Sequence, residues 1–541
     1  MKNNQARLVL KNTAKRLSPL IAAVVFFVYT PARAAEKGDA FIGASTSDAR
    51  TLMPMLASDT ASAGICGYIF NGLVKYDKDL NLTGDLAERW EVLDGGLQIV
   101  FYLRKDVFWQ DGARFTSRDV AFTYRKMIDP RVRTPYGGDF ERVASLETPD
   151  DFTVRVFYKE PFAPALSSWS ISMIPAHLLE GKDLNDSAFA RAPVGTGPYK
   201  FRLWKTQEKI ELDANARYFL HEPNISRVVE RVIPDASTIF LELQTGGADL
   251  CGLTPLQYTR QTDTPYFRDN YRKFRLPGET YVYLGYNLRS GLFSDTRVRR
   301  ALNLAVDKDE IIKIALLGLG TVSNGPFTPQ SWAFNPSVKP DAYDPAEAVR
   351  LLKQAGWEDA DGDAMLEKDG RKFEFTILTS QGNDERIKAA EIIQRRLANI
   401  GIGVRIKVVE WSVFLGEFVN KRNFDAVLLG WSLPREPDNY DIWHSSKTRE
   451  GEFNFTGYSN PEVDRLLLEA RRVFEQQARK ELYRKIQELI YADQPYMFLY
   501  VPDSLYVVQR RFREVVPAAA GIGYNFIDWW VPSAEQRYRM R

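Results

Sequence analysis

The hydrophobic pattern is clearest between residues 373 and 431. Phe373, Phe375 and Ile377 alternate with Glu374, Thr376 and Leu378, the two-residue period of a strand. Ile387, Ala390, Ile393, Leu397 and Ile400 then recur at helical spacing, and Gly401 suits the position just past the helix end. Val404, Ile406 and Val408 alternate with Arg405, Lys407 and Val409 in a second strand. Ser412 is placed to cap a short helix containing Phe414 and Phe418. Phe424 to Gly430 is a third strand, apolar enough for burial on both faces. Strand-helix-strand-helix-strand predicts parallel strands with right-handed crossovers.

The first half reads as strands and hairpins with helices between them. Gly95-Gly96 separates Trp90-Glu91-Val92 from the apolar run Leu97 to Phe101, a hairpin signal. Ser117-Arg118-Asp119 opens an amphipathic helix through Val120, Phe122, Tyr124 and Met127, stopped by Pro130. Phe152, Val154 and Val156 share one face of a further strand. No fixed-period repeat or low-complexity tract interrupts the chain.

This order of elements locates a candidate site. In open α/β sheets a ligand sits outside the carboxyl ends of the strands. Those ends carry Ser380 and Gln381, then Trp411, then Trp431 with Ser432. Flat apolar walls beside small hydrogen-bonding groups suit an organic ligand.

At 541 residues the chain exceeds one ordinary core, so two to four domains are expected. Lys2, Arg7, Lys11, Lys15 and Arg16 precede a short apolar stretch from Leu17 to Val28, and Ala32-Arg33-Ala34 has the form of a cleavage site. Residues 1 to about 34 therefore read as a removed signal peptide. No Cys follows the apolar run, which excludes a lipid anchor and points to a Gram-negative periplasm. Loss of six basic residues and no acid takes the net charge from +2 to near −4. A mature chain of that sign argues against nucleic acid and against anionic membrane surfaces as partners. Cys66 and Cys251 are the only cysteines, and an oxidising compartment permits either one bridge or two buried thiols.

Catalytic motifs are missing. His177, His221 and His444 are far apart in sequence, and no Gly-x-Ser-x-Gly elbow occurs. Asp359, Asp361 and Asp363 hint at a calcium loop, but Ala364 stands where Gly is wanted, so a polar turn is expected. No metal, cofactor or catalytic residue is expected.

The segments Gly84 to Glu91, Phe101 to Gly112, Pro193 to Tyr199, Arg297 to Lys308, Leu351 to Trp357 and Phe424-Asp425 with Gly430-Trp431 occur in a telling order. By these the chain resembles the dipeptide- and oligopeptide-binding proteins of ABC importers, from about residue 40 to about 510. The resemblance implies an α/β fold like the type II periplasmic binding proteins. Two lobes would be joined by a two-strand hinge, with an extra inserted domain. Domain I would comprise 36–70, 194–279 and 505–541, domain II the insertion 71–193, and domain III 280–504. It implies a monomeric periplasmic receptor that closes on a peptide held as an extended strand and delivers it to ABC permease subunits. Thr60, Ala61 and Ser62 would line the ligand from domain I, Gly430, Trp431 and Ser432 from domain III, with Tyr136 and Tyr500.

Two departures bear on the ligand. Relatives place an Asp shortly after the Gly-Trp pair to meet the ligand's amine, where this chain has Leu433 or Pro434. The Arg that grips a dipeptide carboxylate has no match near Gln381-Gly382-Asn383. Glu436 or Asp438 would have to replace the amine anchor. The same receptor fold holding a metal chelate, an oligosaccharide or an opine is the alternative, and a secreted hydrolase the remote one.

Overall fold

The alternating segments form the strands Glu374–Ser380, Gly403–Val409 and Ala426–Ser432. The computed structural model describes residues 35–538, so the signal-peptide reading of residues 1–34 lies outside the described residues. Between the first two strands runs the helix Asp384–Ala398, capped by the Asn383 side chain and ended at Gly401, whose φ of 80° is left-handed. Its buried stripe includes Ala389, Ala390, Ile393 and Leu397. The outer two strands both pair parallel with Glu374–Ser380, as the pattern predicts.

The short helix after the second strand differs from expectation. The Glu410 side chain, not Ser412, accepts the backbone N–H groups of Ser412 and Val413. A carboxylate outcompetes a hydroxyl for these donors, because charge-assisted hydrogen bonds are the stronger.

The sheet is mixed. Thr280–Tyr286 pairs antiparallel with Ala426–Ser432, Tyr496–Pro502 antiparallel with Thr280–Tyr286, and Gly320–Val322 antiparallel with Tyr496–Pro502. One apolar core lies on each face, one including Leu284, Leu302, Ile377 and Leu428, the other Tyr283, Val427, Trp443 and Phe498.

The rest of the chain builds three further sheets of three or four strands. Ala40–Ser45 pairs parallel with Arg227–Val232 at one edge of a four-stranded sheet. Ser504–Gln509 lies between Leu250–Gly252 and Tyr271–Leu276. Ala87–Leu93, Gln98–Leu103, Thr153–Tyr158 and Val143–Asp150 form an antiparallel sheet with its own core around Phe101, Trp109, Val154 and Trp169. Its first two strands are the hairpin expected at Gly95-Gly96. The helix Ser117–Met127 begins where its sequence signal places it, on a reciprocal cap between Thr116 and Asp119.

The chain passes between sheets twice, side by side. Tyr271–Leu276 leads into Thr280–Tyr286, and Tyr496–Pro502 leads into Ser504–Gln509. Leu276 pairs with Ser504 on one side of this passage and Val282 with Tyr500 on the other. Gly278 is required here, because any side chain at that position would collide with the Pro502 carbonyl oxygen. Arg275 Nε donates to Asp503 at 2.5 Å across the pair.

Further contacts join residues 435–475 to the 70–165 region. Ala163 N donates to the Arg471 carbonyl at 2.6 Å, and Phe474 packs on the Phe101–Trp169 core. Cys66 and Cys251 are unpaired, Cys66 buried on the helix Thr60–Ile69 and Cys251 on the strand Leu250–Gly252. Burial pushes the two thiols up to about 12 and about 11. The two-thiol alternative is therefore the one realised.

Candidate functional site

Two connected cavities open beside the double passage. The first, of about 830 Å³, is lined by Val282, Gly382 to Glu385 and Tyr500 on one wall and by Ala236, Ile239 and Leu253 on the other. The second, of about 550 Å³, is lined by Ser45 to Ala49, Thr60, Ala61, Tyr68 and Glu230. Thr46, Ile239, Cys251 and Gly252 border both, so one continuous space runs between them.

The elements that make this space do so for local reasons. The strand Ala40–Ser45 ends at its rim, and the helix Thr60–Ile69 starts there, capped by Asp59. Ser62 N and Oγ both donate to that carboxylate, at 2.8 and 2.7 Å, and Ser62 Oγ accepts from Arg50 N. Ser62 is therefore buried and occupied, whereas Thr60 and Ala61 face the second cavity. Tyr500 faces the first cavity, and its hydroxyl is buried without a hydrogen-bond partner among the described residues. Burial raises the Tyr500 hydroxyl well above its ordinary value.

Residues predicted from the strand ends share one end of the sheet. Gln381 N donates to Val409 O at 2.9 Å, just outside the residues lining the first cavity. Gly430 lies opposite Val282, Trp431 opposite Tyr281 and Ser432 opposite Thr280. Trp431 is half-buried, stacked on Phe455 and edge-on to Phe453, and its indole N–H points to the Tyr496 hydroxyl at 3.5 Å. Trp411 stands apart. It is 46% exposed beyond the edge strand Gly403–Val409, stacked on Phe414, and it lines neither cavity.

Tyr136 lines a third cavity of about 620 Å³, with Asp139, Ser168 and Asp441, on the other side of the helix Thr60–Ile69. Its hydroxyl donates to the Ala57 carbonyl at 2.7 Å. Asp438 is engaged. Arg471 Nε meets both of its oxygens, at 3.0 and 2.8 Å, and the guanidinium lies 3.8 Å over the Tyr440 ring. Glu436 is likewise paired with Arg479. Neither carboxylate is left open for a ligand amine, because each is held by an arginine.

Glu230 is the residue that sequence reasoning missed. In Arg227–Val232 the two-residue period puts Val228, Glu230 and Val232 on one face, and Val228 is fully buried in the core. A glutamate between two inward valines was the available signal. Glu230 pairs across strands with Gly43, and a methyl group at position 43 would collide with the Glu230 carboxyl oxygen. No described side chain or backbone N–H donates to this carboxylate, and burial pushes it up to about 7.

The three histidines and the acidic triplet lie elsewhere. His177 contacts Asp111, His221 contacts Asp528 and His444 contacts Ser446, and none of them lines the two connected cavities. Asp359, Asp361 and Asp363 sit together in an exposed turn. Their oxygens accept backbone N–H groups from Gly362, Asp363, Ala364 and Met365, and Lys372 pairs with Asp363.

Comparisons with known proteins agree on one kind of molecule. The family model described as bacterial extracellular solute-binding proteins, family 5 Middle, matches residues 81–452. The oligopeptide-binding protein AppA of Bacillus subtilis is 35% identical over 506 residues, 91% of this chain and 92% of that protein. The structure of Bacillus subtilis AppA in complex with a nonapeptide superposes with a TM-score of 0.76 at 32% identity, covering 92% of this chain and 100% of that one. The structure of NikZ from Campylobacter jejuni in complex with Ni(L-His) gives a TM-score of 0.77 at 30% identity, covering 91% and 99%.

Proposed function

Because this chain belongs to the bacterial extracellular solute-binding proteins of family 5 and has their type II periplasmic-binding-protein fold, we propose that it is the peptide-capturing component of an ABC importer. It would take up a peptide between two closing lobes in the periplasm and hand it to membrane permease subunits. The observation that carries this reading is the continuous cavity beside the double passage, bounded by Thr60 and Ala61 on one side and Tyr500 on the other. AppA of Bacillus subtilis, with its bound nonapeptide, supports a peptide as the cargo.

Domain I would comprise 36–70, 194–279 and 505–541, the insertion 71–193, and domain III 280–504. The passages at Leu276 to Thr280 and Pro502 to Ser504 would be the hinge. Two adjacent backbone segments permit bending about one axis while resisting twist, the geometry of hinge closure. Gly278→Val drives these segments apart and is expected to weaken binding about tenfold, because the closed form is less populated. Unchanged affinity in isothermal titration would remove the passages from the closing motion.

Gly430, Trp431 and Ser432 would supply edge-strand hydrogen bonds and a flat wall to the extended peptide. Trp431→Ala is expected to weaken peptide binding by about 2 kcal/mol. Wild-type affinity in a folded variant would take Trp431 out of the site. The leader would be removed near residue 34, which N-terminal sequencing of the exported protein tests.

The direct experiment is native mass spectrometry of protein purified without denaturation, followed by incubation with a peptide pool. A peptide recovered intact at one per protein is the expected result. Cleaved peptide would point to a hydrolase. A co-purified metal chelate is the second reading, favoured by the arginine pairing of Asp438 and Glu436 and by the likeness to NikZ with its Ni(L-His).

A further inference from the structure

Resting on the peptide-capture reading of the cavity, we infer that its 550 Å³ chamber is a cation subsite, in which Glu230 receives the terminal ammonium or guanidinium of a ligand side chain. The carboxylate is aimed inward from the apolar face of its strand, between Val228 and Val232. Gly43 on the adjoining strand leaves the space that the carboxyl group occupies. No described cation or donor partners it, and no Lys, Arg or His lines this chamber or its neighbour. A lone carboxylate facing an apolar chamber is costly to ionise, and desolvation pushes this one up to about 7. A cation arriving on the ligand removes that cost and forms a charge-assisted hydrogen bond.

The walls fit the stem and head of such a side chain. Phe41, Tyr68, Phe526 and Trp529 line the chamber. Apolar and aromatic surfaces of this kind hold a methylene stem and attract a cation through the ring faces. The chamber also holds the Tyr68 hydroxyl, which burial and then the Glu230 charge push up, and Asp48. Asp48 accepts from Trp204 Nε1 at 3.0 Å and Gln207 N at 2.8 Å, neutral donors that leave its charge uncompensated. In the neighbouring chamber Asp503 is paired with Arg275, and Asp384 and Glu385 sit in the first turn of the helix Asp384–Ala398. That helix N-terminus offsets part of their charge. Arg386, one residue further, lies outside the lining and is coupled to the Tyr283 and Tyr500 hydroxyls. The balance of the whole space is negative, and in the smaller chamber Glu230 has neither a cation nor a hydrogen-bond donor among the described residues.

The test uses the full-length mature protein and Glu230→Gln. Isothermal titration would compare the peptides Ala-Ala-Lys-Ala-Ala and Ala-Ala-Nle-Ala-Ala, where norleucine keeps the stem and removes the charge. Wild type is expected to prefer the lysine peptide by ~10–100-fold, the worth of a hydrogen bond to a charged group. Glu230→Gln should reduce that ratio to within about threefold of unity. An equal ratio in both proteins overturns the inference and leaves the peptide reading standing. A second arm uses n-pentylammonium against 1-pentanol in thermal unfolding. A stabilisation by the ammonium that Glu230→Gln abolishes supports the subsite even if neither peptide binds, in which case it is the peptide reading that fails. An identical response of wild type and Glu230→Gln in this arm, with no lysine preference in the first, overturns the subsite.

Discussion

Arg511→Met is expected to destabilise the protein by about 3–5 kcal/mol, the usual consequence of stripping a buried ion pair of one partner. Arg511 is 5% exposed, and Asp39 and Asp249 are 1% exposed each. The guanidinium pairs with both carboxylates, with Asp249 at 2.6 Å, and also donates to the Ala40 carbonyl at 3.1 Å. The acids are engaged further. Asp249 accepts from Ile42 N at 2.8 Å, and Asp39 accepts from Arg537 N and Tyr538 N. Removing the arginine would leave two carboxylates buried together, where like charge and poor solvation act in the same direction. Urea unfolding followed by tryptophan fluorescence reads the loss directly. A change below about 1 kcal/mol would mean that water reaches the site and replaces the guanidinium.

Glu230→Gln should do the opposite, and increasingly so as the pH rises above about 4.5. The carboxyl titrates at about 7 in the folded chain against an ordinary value of 4.5. Between those values the folded state binds the extra proton, so wild-type stability falls as pH rises through this window. Glutamine does not titrate. The variant should therefore match wild type near pH 4.5 and exceed it increasingly up to about pH 7.5. The gain should level off near 3 kcal/mol, from roughly 1.4 kcal/mol per unit of displacement. Unfolding midpoints at pH 5 and pH 8.5 are sufficient. A constant offset between the two proteins at both pH values would show that packing, and not charge, separates them.

Local periodicity carried the fold well where neighbours in sequence are neighbours in space. The segment 373–431 folds as its alternation and helical stripe require, down to the left-handed turn at Gly401. The antiparallel members of that sheet were not legible, because Thr280–Tyr286 and Tyr496–Pro502 are joined by pairing across some two hundred residues, and no local pattern encodes that. The same limit applies to the site. Strand ends pointed to Gln381 and Trp431, but the partners of Asp438 and Glu436 are Arg471, just past one helix, and Arg479, on the next, which sequence spacing does not bring near. Ser62 looked available as a small polar residue, yet its hydroxyl is consumed within its own helix cap. Glu230 had a signal, a charge on an inward face, that became meaningful only with Gly43 known to lie opposite.

The strand Ser504–Gln509 lies in the middle of its sheet, between partners that precede it by more than two hundred residues. Synthesis from the N-terminus releases that segment more than two hundred residues after them. Leu250–Gly252 and Tyr271–Leu276 must therefore wait for their central partner until it has emerged. Such long-range closure slows folding, so a chain cut just before Ser504 should leave the early half without a finished sheet.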